Sequence, residues 1–280
     1  MDPSAAPLAA SGASAAPVAP PGVDDAIVRF YDALAPQYHL IYGDWRTAVR
    51  RQARVLDTLI RRVGGDPPLA LLDCTCGIGT QAIGLALLGY RVHGTDLSGV
   101  AIDRARREAA AFGASATFAV ADVRELETRV TGAFDVVLSC DNALPHLLTE
   151  DDLRRAVGAI WSKLRGGGLA LLGIRDYDRL LRERPSATVP DVHTGRDGRR
   201  IVFQTWDWEA GSPRYGVDYF ILTERGSQWE TFHQTMTYRA LPRAELTGLL
   251  EAAGFVDVQW HEPEATGYFQ PVVTASRPPG

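Results

Sequence analysis

Four apolar segments of this 280-residue chain end in acidic residues: Asp73 after LALL, Asp96 after YRVHGT, Asp122 after ATFAVA, and Asp141, with Asn142, after FDVVLSC. Between the first two acids lie Gly77 and Gly79, in the run LALLDCTCGIGTQA at residues 69–82. Glycine belongs in such a bend because a tight strand-to-helix turn needs backbone angles closed to other residues. A missing Cβ also lets the main chain touch a ligand. Asp96 falls where a second parallel strand presents a carboxylate to ribose hydroxyls. The chemistry available to this set is the grip of one nucleoside-like ligand by several strand ends.

Two other readings of these residues compete. An Asp that closes a strand often serves only as the N-cap of the next helix. Ser98 and the helical LSGVAIDRARREAAAFG follow Asp96, and a possible helical turn follows Asp122. GIGTQA also satisfies the Gly-x-Gly-x-x-Ala pattern of nicotinamide enzymes. Against that second reading stand Asp73, where dinucleotide folds keep an apolar residue, and the acids at 122 and 141, which have no standing role in hydride chemistry.

Taken in order, the segments resemble the class I S-adenosylmethionine-dependent methyltransferases. The resemblance continues through LRGGGLALLGI at 164–174, an approach to a fifth strand, and through AELTGLLEAAGFVDVQW at 244–260, a late helix leading into a sixth. It covers roughly residues 28 to 277 and implies an α/β fold: a Rossmann-like, doubly wound, mostly parallel seven-stranded sheet with an N-terminal helical lid. It further implies that Asp73, Gly77 and Gly79 cradle the methionine part of S-adenosylmethionine, that Asp96 binds the ribose, and that Asp122 meets the adenine amine. Leu97, Val123, Cys140 and Asn142, beside those strand ends, complete the implied cofactor set. Thr75 departs from the family, which more often has Gly or Ala there.

Ahead of the first strand, FYD, QYHLIYGDW and RQA resemble the glycine and sarcosine N-methyltransferase branch and its small-molecule, natural-product relatives. There an aromatic lid and an arginine close on the cofactor. The resemblance assigns the methionine carboxylate to Arg51, with Arg50 or Arg46 next, and places Tyr38 and Trp45 near the sulfonium, since ring faces attract a cation without donors. Packing is the competing reading of those aromatics. CDNALPHL resembles the loop between methyl donor and acceptor, with His146 as a candidate base or a plain helix-start histidine. GIRDYDRLL places Arg175 and Tyr177 where the branch faces its acceptor, the arginine on a substrate carboxylate. Pairing of Arg175 with Asp176 or Asp178 is the alternative.

Residues 199–240 break the α/β rhythm. RRIVFQTWDWE, YGVDYFILTERG and SQWETFHQTMTYRAL are rich in β-branched and aromatic residues and read as an inserted three-stranded antiparallel meander. Its aromatics are expected to roof an acceptor bulkier than glycine. The expected organisation is a disordered Ala/Pro-rich tail at 1–22 and one methyltransferase domain at 23–280. Within it, 23–65 form the lid, 66–184 and 241–280 the core, and 185–240 the insertion. The expected reaction is methyl transfer to an amine nitrogen of an amino acid or amine-containing natural product, leaving S-adenosylhomocysteine. C-methylation of an activated, indole-type ring is the alternative, and a non-catalytic S-adenosylmethionine-binding protein is the alternative of another class.

A formal charge of −5 and the lack of a basic block argue against a nucleic-acid partner. No run approaches the ~20 apolar residues that a membrane helix needs, and the prolines and serines of residues 1–22 break any signal-like stretch. The expectation is a cytoplasmic protein, monomer or homodimer, acting on a small molecule. Cys74, Cys76 and Cys140 have no second pair to complete a zinc site, so no metal is expected. Lys163 is the sole lysine, a bias that carries no function.

Overall fold

The structure, a computed structural model, describes residues 23–63, 65–195 and 198–280. The tail expected at 1–22 lies outside the described residues. Two helices, α1 (Val23–Leu34) and α2 (Trp45–Val63), precede the first strand. The acid-ended segments then form β1 (Ala70–Asp73), β2 (Arg91–Asp96), β3 (Ala116–Val120) and β4 (Phe134–Ser139). They are linked by α3 (Thr80–Leu87), α4 (Gly99–Phe112) and the short α5 (Leu126–Arg129). After α6 (Glu150–Lys163) come β5 (Leu164–Gly173) and α7 (Tyr177–Glu183). The chain then makes β6 (Asp191–Gly195), β7 (Gly198–Trp208), β8 (Arg214–Arg225) and β9 (Gln228–Arg239). It closes through α8 (Arg243–Ala252), β10 (Val256–His261), α9 (Pro263–Thr266) and β11 (Val272–Ser276).

Seven strands form the main sheet in the order β10-β11-β5-β4-β1-β2-β3, with only β11 antiparallel to its neighbours. The central strands are apolar and buried on both faces, as parallel strands covered by helices must be: Leu71, Leu72, Val136, Val137 and Leu138 have no exposed surface. The order reverses between β1 and β4, so a crevice opens beyond their carboxyl ends, the usual ligand position in such sheets. Register sets the spacing of the acids. Asp73 stands opposite Gly94 of β2, and Asp96 opposite Val120 of β3, so each acid lies two residues beyond the level of the one before.

The meander differs from the sequence expectation by one strand. β6 to β9 form a separate four-stranded antiparallel sheet in sequential order. β6, DVHTG, pairs with β7 at its edge and is largely exposed, so it carries none of the alternating apolar signal by which its neighbours are read. The inner face of the other three strands joins the core through Trp206, Tyr215, Val217, Met236 and Tyr238. Among the described residues no helix is long and apolar enough to cross a membrane.

Candidate active site

The turn after β1 is held by its neighbours on both sides. The Cys74 N–H donates to the Leu138 carbonyl of β4 and the Cys76 N–H to that of Thr95 in β2, each at 2.9 Å. Gly77 and Gly79 both lie at positive φ, +52° and +91°. A Cβ on Gly77 would meet no atom within 4 Å, whereas one on Gly79 would lie 2.9 Å from Ile83 Cδ1 and 3.4 Å from Ala105 Cβ. Gly77 thus leaves space in a cleft, and Gly79 lets the start of α3 close on α4.

Asp96 ties this turn to the second strand. Its Oδ2 accepts from the Gly77 N–H at 2.8 Å and its Oδ1 from the Ser98 N–H at 2.9 Å. The N-cap of α4 is Ser98, which accepts from the Ala101 N–H, so capping of that helix does not account for Asp96. Asp122 does cap the turn at Val123–Glu125 and also pairs with Arg124, which reaches on to Asp152. Burial works to raise Asp122, but the Arg124 hydrogen bonds outweigh it and hold the carboxyl below its ordinary value. Among the described residues Asp96 has no cation partner of this kind, and burial raises it.

Gly77, Asp96, Leu97, Asp122, Val123 and Cys140 all line one cleft at the carboxyl ends of β1 to β4, together with Thr80, Gln81 and Arg124. Asp73 lies beneath it, 1% exposed, and its Oδ2 has no hydrogen-bond partner among the described residues. Burial, reinforced by the nearby carboxylates of Asp141 and Asp96, pushes Asp73 well above the usual carboxylate range. The Thr75 hydroxyl bonds Ser139 Oγ at 2.9 Å and so ties β1 to β4. Asn142 is buried; its Oδ1 accepts from the Arg175 N–H, while its Nδ2 has no hydrogen-bond partner among the described residues.

A second cavity adjoins the first and shares Tyr31, Tyr38 and Asp141 with it. Arg51, Gln52, Arg175, Gln204, Tyr219 and Tyr238 contribute to its remaining walls. The Arg175 guanidinium donates to Tyr215 Oη at 3.0 Å and to Gln204 Oε1 at 2.9 Å, and lies over the rings of Trp206 and Tyr238. Among the described residues no carboxylate pairs with it, and neither Asp176 nor Asp178 does; those two face Arg243.

Three residues singled out in the sequence sit differently from expectation. Trp45 lines neither cavity: it is buried at the start of α2, donates from its indole N–H to Thr80 Oγ1 at 3.0 Å and packs edge-on against Phe112. Its aromatic bulk serves packing, the competing reading of that cluster. Tyr177 is fully buried and bonds Tyr215 Oη at 2.9 Å, one layer behind Arg175. Arg51 borders the second cavity rather than the glycine-turn cleft, and Arg46 and Arg50 lie over Phe112.

His146 lines the first cleft, with its Nε2 2.6 Å from Tyr31 Oη and, among the described residues, no partner for its Nδ1. Burial, with Arg175 nearby, pushes its pKa down to about 3, so the ring is neutral at ordinary pH and a weak proton acceptor. Of the meander aromatics, only Tyr219 and Tyr238 reach the second cavity. Trp206, Trp208 and Tyr215 stack behind them, and Trp229 is exposed beside Arg199. The sequence reading missed the links among Gln52, Gln81, Tyr268 and Asp141, which join α2, α3, the C-terminal segment and the end of β4. No local pattern marks them, because the partners are far apart in the chain.

Comparison with known proteins agrees with this geometry. A methyltransferase domain family matches residues 71–168. The putative methyltransferase YqeM of Bacillus subtilis (strain 168) is 27% identical over 187 residues, 66% of this chain and 72% of its own. A glycine/sarcosine N-methyltransferase of Parasynechococcus marenigrum (strain WH8102) is 30% identical over 168 residues, 60% of this chain; the match spans only 56% of that relative's length. Among solved structures, CalS10 bound to S-adenosylmethionine, an amino pentose methyltransferase of Micromonospora echinaspora, superposes with TM-score 0.65 at 20% identity, covering 82% of this chain and 91% of its own. The sugar N-methyltransferase KedS8 of Streptoalloteichus also reaches 0.65, at 18% identity, covering 98% and 100%. These two likenesses speak to the fold.

Residues 71–168 match a methyltransferase domain, and the chain is similar in sequence to methyltransferases and in fold to S-adenosylmethionine-dependent methyltransferases. The residues present suit that cofactor. The buried oxygen of Asp73 without a partner among the described residues suits an ammonium group, the open space beside Gly77 admits a ligand against bare backbone, and Asp96 and Asp122 line the same cleft with oxygens of a kind that can accept from hydroxyls and an amine.

Proposed function

We propose that this methyltransferase acts on an amine nitrogen of a small acceptor that also carries an anionic group, an amino acid or an amine-containing natural product. The observation that carries this reading is Arg175, a guanidinium with no carboxylate partner among the described residues, in the wall of the cavity next to the cofactor cleft. A buried charge held only by neutral groups is stabilised strongly by an opposite charge on a ligand, and guanidinium grips carboxylates through two parallel bonds. The glycine/sarcosine N-methyltransferases among the relatives support nitrogen as the acceptor atom.

When bound, S-adenosylmethionine supplies a methyl group on a sulfonium, which a nucleophile takes as the C–S bonding pair leaves on sulfur. The protein's part is to fix nucleophile and donor in line and to exclude water. Good orientation recovers on the order of 7–11 kcal/mol of a barrier, against the 10²- to 10⁴-fold typical of proton transfer. Tyr31 and Tyr38, shared by both cavities, serve the first task as ring walls at the seam, and Arg175 serves it as the anchor of the acceptor's far end.

Mass-spectrometric assay of methyl transfer from S-adenosylmethionine to a panel of amino acids, amino sugars and aromatic amines tests the reading. N-methylated product is expected. For Arg175→Gln, kcat/KM with an anionic acceptor is expected to fall by about 2–5 kcal/mol, roughly 30- to several-thousand-fold, with S-adenosylhomocysteine affinity unchanged. Transfer to carbon alone, or full activity in the variant, contradicts it.

A further inference from the structure

Three residues line both cavities, Tyr31, Tyr38 and Asp141, and only Asp141 carries a carboxylate. Its backbone is unusual. Asp141 and Asn142 both take positive φ, +58° and +65°, a conformation that costs free energy in non-glycine residues and persists where surrounding bonds enforce it. Here the Asn142 N–H donates to the Gly173 carbonyl, and the Asn142 Oδ1 accepts from the Arg175 N–H. The bend therefore fixes Asp141 at the seam between the two cavities.

The Asp141 carboxylate accepts from Tyr268 Oη at 2.8 Å and from Tyr42 Oη at 3.4 Å, and no cation pairs with it among the described residues. Arg175 lines the same second cavity, equally without an ionic partner, and the two do not pair with each other. A cavity whose wall carries the Asp141 carboxylate together with the guanidinium groups of Arg175 and, at its border, Arg51 is complementary to a ligand that carries both charges. Because Asp141 is the charge shared with the cofactor cleft, the ligand's cationic end faces the methyl donor.

We infer that Asp141 anchors the acceptor's ammonium group and takes the proton that nitrogen must lose before it can react, so that the acceptor class is a cationic amine. This rests on the N-methylation reading above. In the step, an N–H proton passes from the ammonium to a carboxylate oxygen of Asp141, and the N–H bonding pair remains on nitrogen as the lone pair that forms the new N–C bond. The carboxyl then releases its proton to water.

The surroundings of Asp141 suit the task better than those of His146. Burial raises the Asp141 pKa above the ordinary carboxylate value, while hydrogen bonds from Gln81, Tyr268 and Tyr42 restrain the rise. The groups that face it are Tyr38 and Tyr42 from the N-terminal segment, Asp73 at the end of β1, Gln81 of α3, Cys140 beside it and Tyr268. Arg51 and Arg175 share its cavity.

The test is calorimetric. S-adenosylhomocysteine is titrated into wild type, Asp141→Asn and Asp141→Glu, and each complex is then titrated with phenethylammonium, L-phenylalanine and 3-phenylpropanoate, probes sized for the aromatic walls. S-adenosylhomocysteine affinity is expected to stay within threefold of wild type. Both amine probes are expected to bind at least tenfold more weakly to Asp141→Asn, with partial recovery in Asp141→Glu, and 3-phenylpropanoate is expected to be unaffected. In wild type, phenethylammonium binding is expected to weaken as pH falls and Asp141 takes up a proton, a measurement that needs no variant to fold. The proposal is overturned if S-adenosylhomocysteine affinity falls as much as amine affinity, which would assign the carboxylate to the cofactor's own ammonium. Equal amine binding in wild type and variant, or none in wild type, overturns it as well. Loss of Asp141's role alone leaves methyl transfer to amines insensitive to Asp141→Asn; failure of the N-methylation reading leaves no N-methylated product from any amine.

Discussion

Alanine at Gly77 and alanine at Gly79 should have opposite signatures, because one glycine leaves room for a ligand and the other leaves room for a helix. At Gly77, φ is +52° and a methyl group would touch nothing, so the structural penalty is the left-handed backbone alone, about 1–2 kcal/mol. At Gly79, φ is +91° and the methyl would lie 2.9 Å from Ile83 Cδ1 and 3.4 Å from Ala105 Cβ, which adds about 1–3 kcal/mol of overpacking to the same backbone term. With about 2–4 °C per kcal/mol for a chain of this size, Gly77→Ala should lower Tm by roughly 2–8 °C and Gly79→Ala by roughly 4–20 °C. Binding should rank the other way. The Gly77→Ala methyl enters the cleft, so S-adenosylhomocysteine affinity should fall at least about tenfold, 1.4 kcal/mol, whereas folded Gly79→Ala should lose less. Thermal melts and calorimetry of both variants decide the matter. Equal melting losses, or wild-type affinity in Gly77→Ala, would refute the assignment of separate roles to these glycines.

Three further outcomes are expected. His146 has its pKa lowered to about 3 in the folded protein against an ordinary value of 6.5. Its contribution to stability is therefore present above pH 6.5 and lost as pH falls towards 3, at about 1.4 kcal/mol per pH unit. His146→Asn should show a shallower loss of denaturant midpoint between pH 6 and 5 than wild type; parallel slopes would contradict a buried neutral ring. Tyr177→Phe should cost about 1 kcal/mol of stability through its lost bond to Tyr215 and leave acceptor KM unchanged; a large KM effect would put Tyr177 in the acceptor cavity after all. Asp73→Asn should weaken S-adenosylhomocysteine binding at least about tenfold while retaining the fold in circular dichroism, and unchanged affinity would detach the buried unpartnered oxygen from ligand binding.

What the sequence made legible follows from what is local. Each of Asp73, Asp96 and Asp122 lies at or just past the end of a parallel strand, buried for Asp73, partly buried for Asp96 and at the sheet edge for Asp122, and all three strands read as apolar runs cut short by polar residues. Once the sheet order is granted, register alone brings the three to one crevice. The strand β6 escaped notice because an exposed edge strand has no face to bury. Trp45 is ambiguous in the sequence for a related reason: an aromatic residue at a helix start reads alike whether it faces a ligand or, as here, Thr80 and Phe112. Asp141 was visible as a polar strand end, but its partners Tyr42 and Tyr268 are 99 and 127 residues away, so its place between two cavities is a product of tertiary packing. Arg175 is visible in the sequence as a residue after the fifth strand, yet its lack of an ionic partner among the described residues emerges only when Tyr215 and Gln204 close around it.

The convergence of strand-end carboxylates on one adenosyl group is tested most directly by titrating S-adenosylhomocysteine into wild type and Asp96→Asn. Asparagine keeps an oxygen for the Gly77 N–H but removes the charge, so loss of a charged hydrogen bond, about 1.5–3 kcal/mol, should weaken a one-to-one wild-type complex roughly 10- to 150-fold. No binding to the folded wild-type protein, or equal affinity in the two, would contradict the account.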